Sequence, residues 1–291
     1  MTRLLACSLL CLPLICAAAD NPLDRELERL AAKKMRLVRK VTAPIEGGEL
    51  AVLLLEKKGA RPRTALRVYR LGAGQAKLLH LEPGFGKTVR LADIHAAEEL
   101  PDLNGDGSRI AAYLTERKNI NQTTLLVLRY ANGRLERLAD FSGGEFRDLN
   151  EDGRPEILER TLPLGKFFNI NCEEVFHSLA QNAYRTRVYA WQDGAYQPAS
   201  RKFPAFLQRR IKETRERLDG VDIRATDSYG DYLGDALSLF FLYEEKGDKR
   251  AGWKEFSRRF KVRKTDLPPV KRCYGKLRSE LKEKLSIPED W

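Results

Sequence analysis

Residues Asp148 to Ile157, "DLNEDGRPEI", place oxygen-bearing side chains at alternate positions around a glycine, a spacing that suits a hard cation. Calcium takes about six to eight oxygens, and a tight loop supplies them from positions 1, 3, 5 and 9 and from the carbonyl of position 7, with glycine at 6 for the bend. Here these are Asp148, Asn150, Asp152, Glu156 and the carbonyl of Arg154, with Gly153 at the bend. A second segment, "DLNGDGSRI" from Asp102 to Ile110, offers Asp102, Asn104, Asp106 and the carbonyl of Ser108 around Gly107; its ninth position, Ile110, has no side-chain oxygen. Structural calcium (Ca2+) is the expected cofactor, with the stronger case in the Asp148 loop. The alternative for either loop is an Asx-rich turn that needs no metal. Glu159, at position 12, also satisfies EF-hand spacing, but "DFSGGEF" before the loop and Pro155 within it do not suit the flanking helices of that motif.

Other residue groups point to less chemistry. "EPGFGKT" at Glu82 to Thr88 lacks the first glycine of a phosphate loop, since Leu81 stands there, and reads as a turn between strands. The adjacent carboxylates Glu98 and Glu99, or Glu173 and Glu174, would point to opposite faces of a strand. The three histidines, His80, His95 and His177, are not placed by any cysteine-enzyme motif. No catalytic residue is assigned.

The N-terminus sets the compartment. Arg3 followed by "LLACSLLCLPLICAAA" has the form of a signal peptide over residues 1–19, cut near Asp20, and no other stretch is long and apolar enough to span a bilayer. The mature chain is therefore expected to be exported, periplasmic or extracellular. It keeps two cysteines, Cys172 and Cys273, which in an oxidising compartment form one bridge, the alternatives being two buried free thiols or a reactive one. Without Arg3 the balance is 51 basic to 41 acidic residues. That surface favours anionic partners such as lipid head groups, acidic polysaccharide or wall polymer. The charges are widely spread and mixed, as in "RRIKETRERL", and neither the compartment nor any motif favours nucleic acid.

The elements that must position the loops come in two kinds. From about Lys40 to Ser200 the chain reads as short strands between turns: "ELAVLLLE", "TALRVYRL", "RIAAYLTE", "TTLLVLRY", "PEILER" and "TRVYAW". Three segments, "RVYRLGAGQAKLL", "LVLRYANGRLERL" and "RVYAWQDGAYQPA", align on Gly74, Gly133 and Gly194, and the same alignment pairs Leu71, Tyr130 and Trp191. Each copy predicts a hairpin turning through a glycine at positive φ, and such hairpins must stack to bury a face. The phrases "DLNGDG" and "DLNEDGRPEIL", each followed by an apolar strand and a "Y/W-x-x-G" hairpin, resemble the FG-GAP or VCBS repeats of integrin-α-type β-propellers over roughly residues 45 to 200. That resemblance implies calcium on the loop aspartates and a secreted or surface protein that binds partners.

Beyond Phe203 the period becomes helical. "FPAFLQRRIKETRERL", "YGDYLGDALSLFFLYEEKG", "DKRAGWKEFSRRF" and "PPVKRCYGKLRSELKEKLS" each carry start or stop residues, and Trp253, Phe256 and Phe260 form a packing stripe. A further helix is expected from Pro22 to Leu37. The fold class is thus a mainly β repeat array, propeller-like and either closed or incomplete, followed by an α-helical unit, α+β overall. Its expected divisions are an N-terminal helix at 20–39, the β-repeat domain at 40–200 and the helical domain at 201–291. The function expected is calcium-stabilised, non-catalytic binding of an anionic macromolecule, glycan or protein. The alternatives are a secreted hydrolase of an anionic polymer and an envelope assembly factor docking through its helical unit.

Overall fold

The computed structural model describes residues 21–59, 63–95, 97–117, 122–165, 180, 183–223 and 229–291; the expected signal peptide, Cys172, Glu173, Glu174 and His177 lie outside them. Helix α1, Pro22–Ala32, starts where Asn21 accepts a hydrogen bond from the Leu23 N–H and Pro22 fixes the first turn. It was expected to reach Leu37 but stops at Ala32. Lys34 turns the chain at φ 61°, and Met35 begins a strand that pairs antiparallel with residues 48–57. That pairing overrides the local helical pattern, so the β array starts before residue 40.

Twelve strands among the described residues form three antiparallel sheets, each a four-stranded meander in chain order. Sheet A contains β1 (Met35–Ile45), β2 (Gly48–Lys57), β3 (Arg63–Gly72) and β4 (Gln75–Glu82). Sheet B contains β5 (Thr88–Leu91), β6 (Arg109–Arg117), β7 (Gln122–Ala131) and β8 (Arg134–Ser142), and sheet C contains β9 (Glu145–Arg147), β10 (Glu156–Thr161), β11 (Arg185–Gln192) and β12 (Ala195–Pro198). The three aligned glycines sit in equivalent hairpins, with positive φ at both central residues: Ala73 and Gly74, Asn132 and Gly133, Asp193 and Gly194. This mirror-image turn matches strand twist and favours Gly at its second position. The first two copies also share a register shift, at Val68/Tyr69 and at Val127/Leu128.

The sheets stack face to face, and alternation along the strands tells each side chain which neighbour it meets. In β2, Leu50, Val52 and Leu54 face sheet B, while Ala51, Leu53 and Leu55 face the opposite way, toward Leu23 and Leu30 of α1. In β6 and β7, Ala111, Tyr113, Leu126 and Leu128 meet sheet A, while Ile110, Ala112, Leu125 and Val127 meet Ile157 and Tyr196 of sheet C. The far side of sheet C supplies Leu158 and Val188 to the helical core. The order is therefore α1, sheet A, sheet B, sheet C, helices, with helices over both terminal faces.

Four helices form the second cap: α2 (Pro204–Asp219), α3 (Tyr229–Lys246), α4 (Lys249–Arg259) and α5 (Pro268–Lys284). Gly247, at φ 94°, ends α3, and Asp248 caps α4 by accepting from the Ala251 N–H at 3.0 Å. Trp253, Phe256 and Phe260 are buried and stack in sequence, so the aromatic stripe is core. No helix of the described residues is long and apolar enough to cross a membrane.

At the other end α1 is tied down by a polar bond within apolar surroundings. Tyr69 donates its hydroxyl hydrogen to Glu26 at 2.6 Å, Arg29 pairs with the same carboxylate at 2.8 Å, and Arg67 stands at 3.6 Å. Burial pushes the Glu26 carboxyl up, but hydrogen bonds from Arg29 and Tyr69 and the two arginine charges outweigh it and leave it below its ordinary value. Glu26→Ala removes the acceptor of the buried Tyr69 hydroxyl hydrogen, leaving that oxygen only its bond from Arg67 at 3.0 Å, and should destabilise the chain by about 2 kcal/mol. Urea unfolding checks this, and a change indistinguishable from zero would show that the Glu26 cluster does not hold α1 in place.

Candidate functional site

Both candidate loops occupy the same place in their sheets. The Asp102 loop lies on the connection from β5 to β6, and the Asp148 loop on the connection from β9 to β10, whereas sheet A has only a short turn between β1 and β2. The Asp148 loop is flanked by strands, which removes the EF-hand alternative. Glu159, its twelfth position, lies on β10 and accepts a hydrogen bond from the Tyr189 hydroxyl at 2.9 Å.

The two loops are also the same in geometry. In the first, Asp102 Oδ2 accepts from the Gly107 N–H at 2.7 Å, Asp106 Oδ1 from the Ser108 N–H at 2.8 Å, and Asp106 Oδ2 from the Asn104 amide at 3.1 Å. In the second, Asp148 Oδ2 accepts from Gly153 at 2.9 Å, Asp152 Oδ1 from Arg154 at 2.8 Å, and Asp152 Oδ2 from Asn150 at 2.9 Å. The fourth and sixth positions take positive φ in both: Gly105 and Gly107, then Glu151 and Gly153. Glycine adopts that region freely. At Glu151 it costs about 1 kcal/mol, so the repeat is maintained against a local preference.

Their surroundings differ. In the Asp102 loop the first aspartate is already paired and the loop is stapled to its neighbours. Arg109 pairs with Asp102 at 3.5 Å and donates to the Pro44 carbonyl of sheet A at 3.2 Å, while the Trp191 indole N–H of sheet C donates to Asn104 Oδ1. Ile110 is fully buried. Hydrogen bonding by Ser108, with that of the Asn104 amide, holds the Asp106 carboxyl down at about 2. One loop thus touches all three sheets.

The Asp148 loop instead carries negative charge into the structure. Glu156 is 3% exposed, and its Oε2 accepts from the Leu149 N–H at 2.8 Å. Burial first, then the charges of Asp152 and Asp148, push its carboxyl above the ordinary value. Three acidic side chains, the Asn150 amide oxygen and the Arg154 carbonyl are the kinds of donor that calcium accepts, and a cation would relieve the mutual repulsion. The donor chemistry fits. As placed, however, Asp148 and Asp152 face the loop's own amides, and among the described residues no three His, Cys, Asp or Glu side chains are gathered closely enough to hold a metal ion.

Polar groups outside the loops serve the stack. His95 is completely buried between a carbonyl and an amide: Nδ1 lies 2.9 Å from the Glu99 oxygen, and Nε2 accepts from the Ala112 N–H at 2.9 Å. Burial lowers its pKa, which suits the neutral ring these bonds require. Glu82 and Asp140 line one polar pocket of about 320 Å³ between the outer strands of sheets A and B. Each already holds a cation, Lys87 at 2.6 Å from Glu82 and Arg137 on Asp140. Sequence reasoning missed Arg109 and gave neither His95 nor the Trp191 indole a part in joining the sheets, because their partners are backbone groups or lie far away in sequence. Cys273 is buried on α5. The search against family models finds no match, nor does the search of curated proteins.

A pH prediction follows from Glu156. Unfolded, it ionises near its ordinary value of 4.5; folded, it keeps its proton to higher pH, so the fold loses stability as pH rises through that window. Glu156→Gln keeps the oxygen that accepts from Leu149 and removes the charge. In metal-free buffer the variant should be at least as stable as the parent at pH 7, and the two should converge below pH 4.5. Thermal melts across pH test this; a variant clearly less stable at pH 7 would contradict it.

Proposed function

We propose that the chain is an exported, calcium-stabilised β-repeat protein that acts by binding an anionic macromolecule, glycan or protein partner, and not by catalysis. The observation that carries the reading is the repetition of one hydrogen-bonded Asp-x-Asn-x-Asp-Gly loop, at equivalent positions, on two of three stacked four-stranded meanders. Stacked meanders with such loops between their first and second strands agree with the FG-GAP or VCBS resemblance. In this reading the sheets are blade-like units of an open array, ended by α1 and by the helical cap.

Calcium in the Asp148 loop has a structural task here. Asp148, Asn150, Asp152, Glu156 and the Arg154 carbonyl would hold it, and its charge would offset the repulsion around the buried Glu156. The Asp102 loop is the weaker candidate, because Arg109 and Trp191 already engage Asp102 and Asn104. The proposal includes a Cys172–Cys273 bridge between the β array and the helical cap. It is supported by the burial of Cys273. A loop of that length contributes roughly 4 to 5 kcal/mol on the chain-entropy view.

The test is calorimetric titration of the metal-stripped chain with calcium, beside Asp148→Ala. Saturable binding that the substitution abolishes, with a melting temperature that falls on chelation, is the expected result. No heat up to several millimolar calcium and an unchanged melt would leave both loops as Asx turns and remove the metal from the function.

A further inference from the structure

The charge of the chain is not evenly distributed over its architecture. Residues 249–291 hold 14 of the 52 Lys and Arg but only 6 of the 41 Asp and Glu, a net +8 of the whole chain's +11. These residues form α4, α5 and the loop between them. Within that loop two apolar side chains face solvent: Val262 at 37% exposure and Leu267 at 70%.

Leu267 is held outward by construction. The preceding turn is closed by the Arg263 N–H donating to Asp266 Oδ2 at 2.7 Å and by the Asp266 N–H donating to the Arg263 carbonyl at 3.2 Å. Pro268 follows, and a residue before proline is confined to extended geometry; Leu267 has φ −61° and ψ 151°. It also occupies the N-cap of α5 and makes no side-chain cap bond, at a position where Ser, Thr, Asp or Asn would stabilise the helix. The sequence thus gives up a cap and exposes a leucine at one point, between the exposed Arg263 and Lys264 on one side and Lys271 and Arg272 on the other.

We propose that the α4–α5 loop is a docking surface for an anionic phospholipid membrane, with Leu267 and Val262 entering the headgroup boundary and Arg263 and Lys264 meeting lipid phosphates. The proposal rests on the reading of the chain as an exported protein with an anionic partner, and it names that partner. Charge alone would serve any polyanion. The outward leucine is what selects lipid, because a polysaccharide offers no apolar phase for it to enter, whereas basic residues around an apolar tip are the pattern of interfacial binding.

The test is co-sedimentation of the chain lacking residues 1–19 with phosphatidylcholine vesicles and with vesicles of phosphatidylcholine and phosphatidylglycerol, beside binding to soluble dextran sulfate. The parent should pellet with the anionic vesicles only. Each cation at a membrane surface is worth about five-fold in binding, so R263E/K264E should lose at least ~25-fold. Leu267→Ser supplies the missing cap, so its melting temperature should hold or rise by roughly 2 °C. Its vesicle binding should nonetheless fall several-fold while its dextran sulfate binding is unchanged. Vesicle binding by Leu267→Ser equal to the parent's overturns the proposal. So does a parent that binds dextran sulfate but no vesicle, which leaves the anionic-partner reading intact; binding to neither overturns both.

Discussion

Burial on both faces is the constraint on which the rest of this structure depends. The second strand of sheet A has alternate residues packed against a helix on one side and a sheet on the other, and sheets B and C repeat the arrangement. A meander of this kind cannot stand alone in water, because whichever face is left open exposes a row of leucines and valines. Each sheet therefore requires a neighbour, and a finite array requires something other than a sheet at each end. Helix α1 and the α2–α5 unit meet that need. In a closed propeller the first and last blades cover one another; here helices occupy both of those faces.

The polar devices follow from the same constraint. Sheets that touch through apolar faces can slide, and the residues that set their relative position are those that reach past the interface to a polar group of the next sheet. Arg109 joins the Asp102 loop to the Pro44 carbonyl, and Trp191 joins the same loop to the third hairpin. Arg129 reaches the Gly194 carbonyl of the next sheet at 3.0 Å, and within sheet C the Tyr196 hydroxyl donates to the Pro155 carbonyl at 3.1 Å, tying the Asp148 loop to the last strand. These bonds are directional where the packing is not. The loops that resemble cation sites are thus also the joints of the stack, which is why a metal bound there would act on stability first.

Much of this was legible in the sequence. The aligned glycines predicted the mirror-image turns, because positive φ at two consecutive residues leaves few alternatives to glycine at the second. The six apolar strands were visible for the reason that makes them central: a strand buried on both faces reads as a continuous apolar run. The edges of the sheets were harder. Strand β5 has four residues and β9 three, too short for a period to register, and β1 begins inside what reads locally as the end of a helix. The loops were found by residue type, but the difference between them depends on Arg109, Trp191 and the buried Glu156, and partners 87 residues apart, as Asn104 and Trp191 are, leave no local trace. Charge was read as evenly mixed because acids and bases alternate in α2, and only its division by element reveals the excess in the last two helices.

The two loops demonstrate how one sequence motif can settle into two electrostatic states. Both begin as Asp-x-Asn-x-Asp-Gly, fold to the same backbone and satisfy the same amides. In the first, the ninth position is apolar and joins the core, and the following strand supplies an arginine that neutralises Asp102 directly. In the second, the ninth position is a carboxylate drawn into the interior by the strand that follows, and its nearest charges are of its own sign. A buried carboxylate can be accommodated by taking up a proton or by accepting a cation, and either route leaves Asp148 and Asp152 holding the loop amides. An aspartate at the first position serves either state. The residue at the ninth determines whether the strand that follows brings an apolar side chain or a third carboxylate into the interior beside the loop aspartates.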